Sequence, residues 1–332
     1  MRRAAKITLG CLFAPVGLFV LGLLAFGALR AAGVPDPDVT EDRIARPLPE
    51  VPRTVLESAP RPGTAQEPTG VEDGLRVELD LVEGFFRVEP FDGDEIEVEA
   101  RYDQATYRLE EKYGLDGDTP VFRLEFASKL HWLRRIASDG SIDEGDFGQN
   151  EITVLLPRGI PIDLHVKISR AEGDLVLDGL TLTNLVTDLS MGEYTLETDT
   201  PNPVVMRRAV FDLGMGEAGL RGLSYLRARE IQIAGGMGEI RVDMGTSLDV
   251  DTILTSRMRM GEMRLQLPDD ALFDADSDFS AVLGEVDDGG VRGRRLDDPE
   301  TARRLLVKGS VLMGALVIDE FRARGFADPD LR

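Results

Sequence analysis

A three-residue motif centred on glycine recurs through the second half of this chain. Counted from Gly173 to Gly314, the glycine-to-glycine intervals are 19, 24, 22, 23, 23 and 30 residues. A period of this size indicates one small unit stacked on its neighbours, because a single unit cannot bury an apolar face alone. The copies of the motif are Glu172-Gly173-Asp174, Met191-Gly192-Glu193, Met215-Gly216-Glu217, Met237-Gly238-Glu239, Met260-Gly261-Glu262, Leu283-Gly284-Glu285 and Met313-Gly314-Ala315.

The sequence of the repeating unit predicts a β-strand. Residues 194–198, 240–244 and 263–267 alternate between apolar and polar side chains, which is the period of a strand with one buried face. Strands stacked about 4.8 Å apart form a β-solenoid, and we expect its core to hold the methionines, leucines and valines. Glycine suits the corner of each turn. The predicted fold is all-β: a solenoid of repeats of about 20–24 residues with an antiparallel β start, preceded by one N-terminal transmembrane helix.

One rung per repeat would place five glutamates in a single column, with like charges about 5 Å apart. Calcium could bridge such a column, since hard cations bind several carboxylate oxygens. Alternatively Arg241 and Arg264, each two residues after a repeat glutamate, neutralise it. We favour the arginines, because the Asp-rich loops of calcium repeats are absent from the sequence. The five glutamates are Glu193, Glu217, Glu239, Glu262 and Glu285.

The N-terminus predicts a membrane anchor. Residues 7–29 carry no charge and are long enough to cross a bilayer as a helix, whereas Arg2, Arg3 and Lys6 precede them. The positive-inside rule then leaves residues 1–6 as a cytoplasmic tail and everything after the span outside the cytoplasm. A cleaved signal peptide is the alternative. Cys11, the only cysteine, excludes an intrachain disulfide.

The remaining chain divides by composition. Residues 30–70 are a Pro-rich linker, either an extended stalk or an unstructured tether, because residues 31–70 hold eight of the 18 prolines. Residues 71–160 form an N-terminal β region, and residues 161–326 form the β-solenoid repeats. Within the β region, Trp132, Arg134 and Arg135 belong to an apolar and basic insert. This insert either contacts a membrane or an acidic partner or, as we prefer, caps the open end of the solenoid.

The order of these parts resembles a known family. A span, a β start, residues 150–157 and 161–164, the turn at 178–182 and the glycine repeats are similar to adhesin-like "toast-rack" β-solenoid domains. Residues 308–314 resemble the end of the C-terminal domain of LiaF-like cell-envelope stress proteins. The resemblance implies a non-enzymatic β-rich domain used in envelope stress sensing or assembly.

Charge and motifs narrow the function further. A formal net charge of -22 disfavours nucleic acid, whose affinity for proteins comes from Lys and Arg. The only histidines are His131 and His165, and the sequence has no hydrolase, zinc-protease or phosphate-loop motif. We predict no catalytic residues, metal or cofactor, and a non-enzymatic envelope protein that binds or scaffolds an unknown envelope protein or glycan. The alternatives are a surface adhesin and a carbohydrate-active enzyme.

Overall fold

The computed structural model describes residues 39–47, 74–129, 150–268, 270–274, 276–289 and 302–320. These ranges form one 14-stranded sheet and a short 3-10 helix at Leu223–Leu226, so the all-β prediction is confirmed. The strands are β1 Val39–Pro47, β2 Leu75–Phe91, β3 Glu95–Asp103, β4 Tyr107–Asp116, β5 Thr119–Ser128, β6 Glu151–Pro157, β7 Pro161–Val176, β8 Thr181–Glu197, β9 Met206–Arg221, β10 Ala228–Asp243, β11 Thr252–Leu267, β12 Leu272–Phe273, β13 Asp278–Asp287 and β14 Arg304–Glu320. Within the same ranges no helix has the length and apolar character needed to span a membrane. The anchor predicted at residues 7–29 lies outside the described residues.

Long parallel strands stack in register in the order β2, β7, β8, β9, β10, β11, β14. A straight strand of the 17 residues in β8 would be about 56 Å long. The connection from β8 to β9, residues 198–205, spans at most about 28 Å. Each strand must therefore bend, so that its two halves turn back around a shared core. The result is a solenoid-like stack of bent rungs in which the sheet does not close on itself.

The bend lies at the repeat glycine. In β8, the odd-numbered Leu185 and Leu189 are buried before Gly192, whereas the even-numbered Tyr194 and Leu196 are buried after it. The strand therefore changes which set of alternating side chains points to the core at the glycine. A Cβ at the glycine would lie 2.0 Å or less from a carbonyl oxygen of the adjacent rung, and its φ is one that L-residues avoid. The same geometry holds at Gly192 (φ 141), Gly216 (133), Gly238 (136), Gly261 (117) and Gly314 (125).

The corner column differs from the predicted one at three places. The residue of β7 in register with Gly192 is Ala171, and Gly173 pairs with Tyr194, so the assignment of Gly173 to the repeat is wrong by two residues. Gly84 of β2, with a φ of 146, is a corner that the sequence repeat did not include. Gly284 is in register with Gly314 but does not have a positive φ.

The prediction that the repeat methionines fill the core is also wrong. Met191, Met215, Met237 and Met260 are 37–46% exposed, because a residue beside a convex corner points away from the core. The buried interior consists mainly of leucine, isoleucine, valine and phenylalanine, with Phe86, Phe122, Phe126 and Phe211 among the largest buried side chains.

The glutamate column is present, with two changes. Glu193, Glu217, Glu239 and Glu262 are in register on adjacent strands, as predicted. Glu172 of β7 extends the column at one end. At the other end β14 lies between β11 and β13, so Ala315 separates Glu285 from Glu262. The order of strands in the sheet therefore departs from their order in the chain.

At the N-terminal end of the stack the sheet divides into two branches on β2. β5 pairs with the first half of β2 and with β4, whereas β6 pairs with the second half and leads to β3 and β1. Phe126 stacks on Tyr107 and contacts Phe86 and Tyr102 edge-on between the branches. Arg46 of β1 bonds to Glu111 of β4, which joins the two branches.

β1 lies inside the range 30–70 that the sequence interpretation treats as a linker. It pairs antiparallel with β3 over its whole length. Its Ile44 packs against the core. The sequence did not predict this strand because its apolar residues are few and its partner residues lie 48 to 64 positions away.

Candidate binding groove

The branch point creates a groove of about 400 Å³ between the β4–β5 hairpin and the outward face of β2, β7 and β8. The hairpin supplies one wall, since β4 is the outermost strand of its branch. The alternation of each strand sends most apolar side chains to the core and leaves mainly polar ones in the groove. The lining residues are Glu78, Leu79, Asp80, Glu110, Lys112, Arg123, Leu124, Glu125, His165, Val166, Lys167, Val186 and Asp188.

Ion pairs between neighbouring strands fix the charged side chains of the groove. Arg123 of β5 donates from Nε to Glu78 of β2 at 2.6 Å. On the opposite side of β2, the Lys167 ammonium of β7 donates to Asp80 at 3.1 Å. In the hairpin, Lys112 Nζ lies 3.4 Å from Glu110 Oε2. Each pair joins residues in register on neighbouring strands or two apart on one strand, so the stack itself sets the charge pattern.

A second network borders the groove at Asp163. The Asp163 carboxylate bonds to His165 Nε2 at 2.9 Å and accepts bonds from Asn184 Nδ2 at 2.9 Å and Arg76 Nε at 3.1 Å. Burial opposes ionisation of this carboxyl group, but these three partners outweigh it and lower the pKa of Asp163 to about 2. Asp163 is therefore a fixed negative charge that orients the His165 ring at the groove edge.

This arrangement suits binding of a polar ligand. The volume lies in the range of small-molecule sites, and the lining offers ammonium, guanidinium and carboxylate groups within one concavity. Four carboxylates of the lining are paired with cations: Glu78, Asp80, Glu110 and Glu125. These ion pairs restrict the conformations of the charged side chains, which would let them recognise a ligand without first being ordered.

None of the groove residues was predicted as a binding residue. Lys112 and Asp188 are 76 positions apart and share no motif, so only the strand registers bring them together. Trp132, Arg134 and Arg135, which the sequence interpretation favours as a contact or a cap, lie outside the described residues. β5 pairs with β2 before its corner Gly84, and β6 pairs with β2 after it.

Two of the repeat glutamates, Glu239 and Glu262, have arginine partners. Arg241 Nε donates to Glu239 Oε1 at 2.7 Å, and Arg264 Nη2 donates to Glu262 Oε1 at the same distance. Each arginine therefore pairs with the glutamate of its own rung. Among the described residues no group of three or more His, Cys, Asp or Glu side chains is placed to hold a metal ion.

Comparison with known proteins finds one family match and two similar crystal structures. Residues 64–207 match the family described as the N-terminal domain of toast_rack, DUF2154. The chain also aligns with two crystal structures: a "putative cell adhesion protein" from Clostridium sporogenes (TM-score 0.40, 12% identity, 86% of this chain and 100% of that chain) and a "putative adhesin" from Bacteroides fragilis (TM-score 0.38, 11% identity, 87% and 100%). Among curated proteins none matches the chain.

Proposed function

We propose that this chain, whose residues 64–207 belong to the toast_rack N-terminal domain family, is a membrane-anchored envelope module that binds a polar ligand without chemically transforming it. The observation that carries the proposal is the charged groove of about 400 Å³ at the branch point, within the matched domain. The rigid stack behind it serves as a scaffold. The ligand is an envelope protein or glycan.

Binding is favoured over catalysis by the state of the carboxylates. A glycoside hydrolase needs one carboxyl group that donates a proton and a second that acts as base or nucleophile. In the groove, Glu78 and Asp80 each have a cationic partner within about 3 Å, as expected for side chains that keep a fixed charge. A surface adhesin is the second candidate within the binding class, since the same groove would serve it.

The proposed place of the module follows from the N-terminus. Residues 7–29 hold it to the cell membrane as a single span, with residues 1–6 in the cytoplasm and the β domain outside. Arg134 and Arg135, beside Trp132, supply a basic contact for an acidic partner or a membrane surface. The similarity of residues 308–314 to LiaF-like proteins makes envelope-stress sensing the role to test first.

Site-specific photo-cross-linking in cells tests the groove. A cross-linking amino acid at Lys112, on the groove wall, should capture an envelope protein or glycan. The matched control is Lys308, an exposed lysine on β14. It is in register with His165 of the groove, but β8, β9, β10 and β11 lie between the two residues. Equal capture at both positions, or none at Lys112, would contradict the proposal. Cleavage of an envelope polysaccharide by the purified chain, abolished by Glu78→Gln, would instead establish the enzyme.

A further inference from the structure

Five of the ten methionines in the chain form one column along the convex corner. We call this column the methionine ladder: Met191, Met215, Met237, Met260 and Met313. Each member is the residue before a corner glycine, and consecutive members are in register on adjacent parallel strands. The other methionines of the stack, Met206, Met244, Met258 and Met263, are at most 3% exposed. The chain therefore uses methionine in two ways, as core filler and as a row of exposed thioethers.

The spacing of the ladder brings sulfur atoms within reach of one another. Adjacent strands lie about 4.8 Å apart, and methionine has three rotatable bonds between its backbone and its methyl group. A metal bound by three sulfurs at about 2.3 Å holds them about 4 Å apart. Neighbouring methionines already start near that spacing, whereas Met215 and Met260, two strands apart, must each lean toward Met237. Met215 and Met237 already line one crevice, together with Glu217. Three consecutive thioethers can therefore converge on one ion without a change of the backbone.

The chemistry of the ladder selects a soft cation. Thioether sulfur favours Cu(I) over hard ions such as calcium and magnesium, which take oxygen ligands. Glu193 and Glu217 stand exposed two residues after their methionines, and the whole chain carries a formal charge of -22, so the local field attracts cations. An apolar docking surface would use methionine and leucine equally well, whereas a metal site requires the sulfur.

We infer that the methionine ladder binds soft monovalent metal ions, Cu(I) or its analogue Ag(I), through the thioethers of Met215, Met237 and Met260. This inference is independent of the proposed ligand of the groove, which lies on another part of the rungs. Met191 and Met313 extend the ladder by one rung on either side and offer a second, overlapping site.

The test is an anaerobic titration of the full purified chain with Ag(I), and with Cu(I) in competition with a chromophoric chelator. All proteins carry Cys11→Ser, so that the single thiol does not compete for metal. The test variant combines Met215→Leu, Met237→Leu and Met260→Leu, which keep apolar volume but remove sulfur. The control variant is Met244→Leu, at a buried methionine outside the ladder.

We expect tight uptake of metal by the parent and the control, and affinity lowered at least about tenfold in the triple variant. Methyl resonances of Met215, Met237 and Met260 should shift with Ag(I), while those of Met206 and Met244 stay in place. This spectrum is read on the parent, so the test does not depend on folding of the variant. Absence of binding by the parent, or equal binding by the triple variant, would overturn the inference. Self-association that survives the leucine substitutions without metal uptake would show an apolar contact instead.

Discussion

Substitution of one corner glycine by alanine should destabilise the stack far more than the same change elsewhere on a rung. At Gly238, φ is 136 and a Cβ would meet the carbonyl oxygen of Gly216 at 1.8 Å. The backbone conformation alone costs a side chain about 1–3 kcal/mol. Moving β10 away from β9 to relieve the contact weakens at least one inter-strand hydrogen bond, worth about 1 kcal/mol. We therefore expect Gly238→Ala to lower the free energy of unfolding by about 3 kcal/mol.

The matched control is Gly219→Ala. Gly219 lies in β9, outside the corner, has no positive φ, and nothing stands within 4 Å of an added Cβ. Alanine there should be neutral or slightly stabilising, because glycine weakens a strand interior. Thermal unfolding followed by circular dichroism should show a Tm lower by about 6–12 °C for Gly238→Ala and unchanged or higher for Gly219→Ala. A Tm of Gly238→Ala within 2 °C of wild type would refute the corner geometry.

Three further outcomes follow from particular contacts. Since the pKa of Asp163 is lowered from 3.8 to about 2, its charge stabilises the fold above about pH 4, and this stabilisation is lost as the pH falls from about 4 to 2. Urea unfolding should show Asp163→Asn less stable than wild type by up to about 2 kcal/mol at pH 7 and equal to it near pH 2. The control Asp212→Asn, at an exposed residue of β9, should change the stability little at either pH. A stability difference for Asp163→Asn that does not depend on pH would disprove the linkage. Asn202→Ala should lower the free energy of unfolding by about 3 kcal/mol, because the buried Asn202 amide bonds to both backbone groups of Leu182 and to two further carbonyls; unchanged urea unfolding would refute that role. Calorimetry with calcium at physiological ionic strength should show no micromolar binding, because Arg241 and Arg264 neutralise two glutamates of the column. Binding with a matching rise in Tm would contradict this.

The sequence was most informative where structure depends on local spacing. Alternation at period two and a glycine every twenty-odd residues predicted strands, stacking and the corners at Gly216, Gly238 and Gly261. Both signals depend on backbone rules that act within a few residues. The pairing of Arg241 with Glu239 was accessible for the same reason, because residues two apart on a strand share a face.

The failures occur where tertiary context decides. Methionine beside Gly238 was assigned to the core from its hydrophobicity, but a convex corner turns its flanking side chains outward. The sequence around Gly173 resembled the repeat motif, but the strand register places Ala171, not Gly173, at the corner. The position of β14 between β11 and β13 is a long-range pairing that chain order does not encode. The groove has the same origin, since its walls come from strands distant in sequence and joined only by the sheet.

The proposed function depends most directly on the β domain lying outside the cytoplasm, attached to the membrane by residues 7–29. A reporter that is active only outside the cytoplasm, fused after residue 332, tests this in intact cells, with a cytoplasm-specific reporter at the same position as its counterpart. Fractionation of the same cells shows whether the fusion stays with the membrane. We predict activity of the first reporter alone, in the membrane fraction. Activity of the cytoplasmic reporter would contradict the orientation and the envelope assignment together.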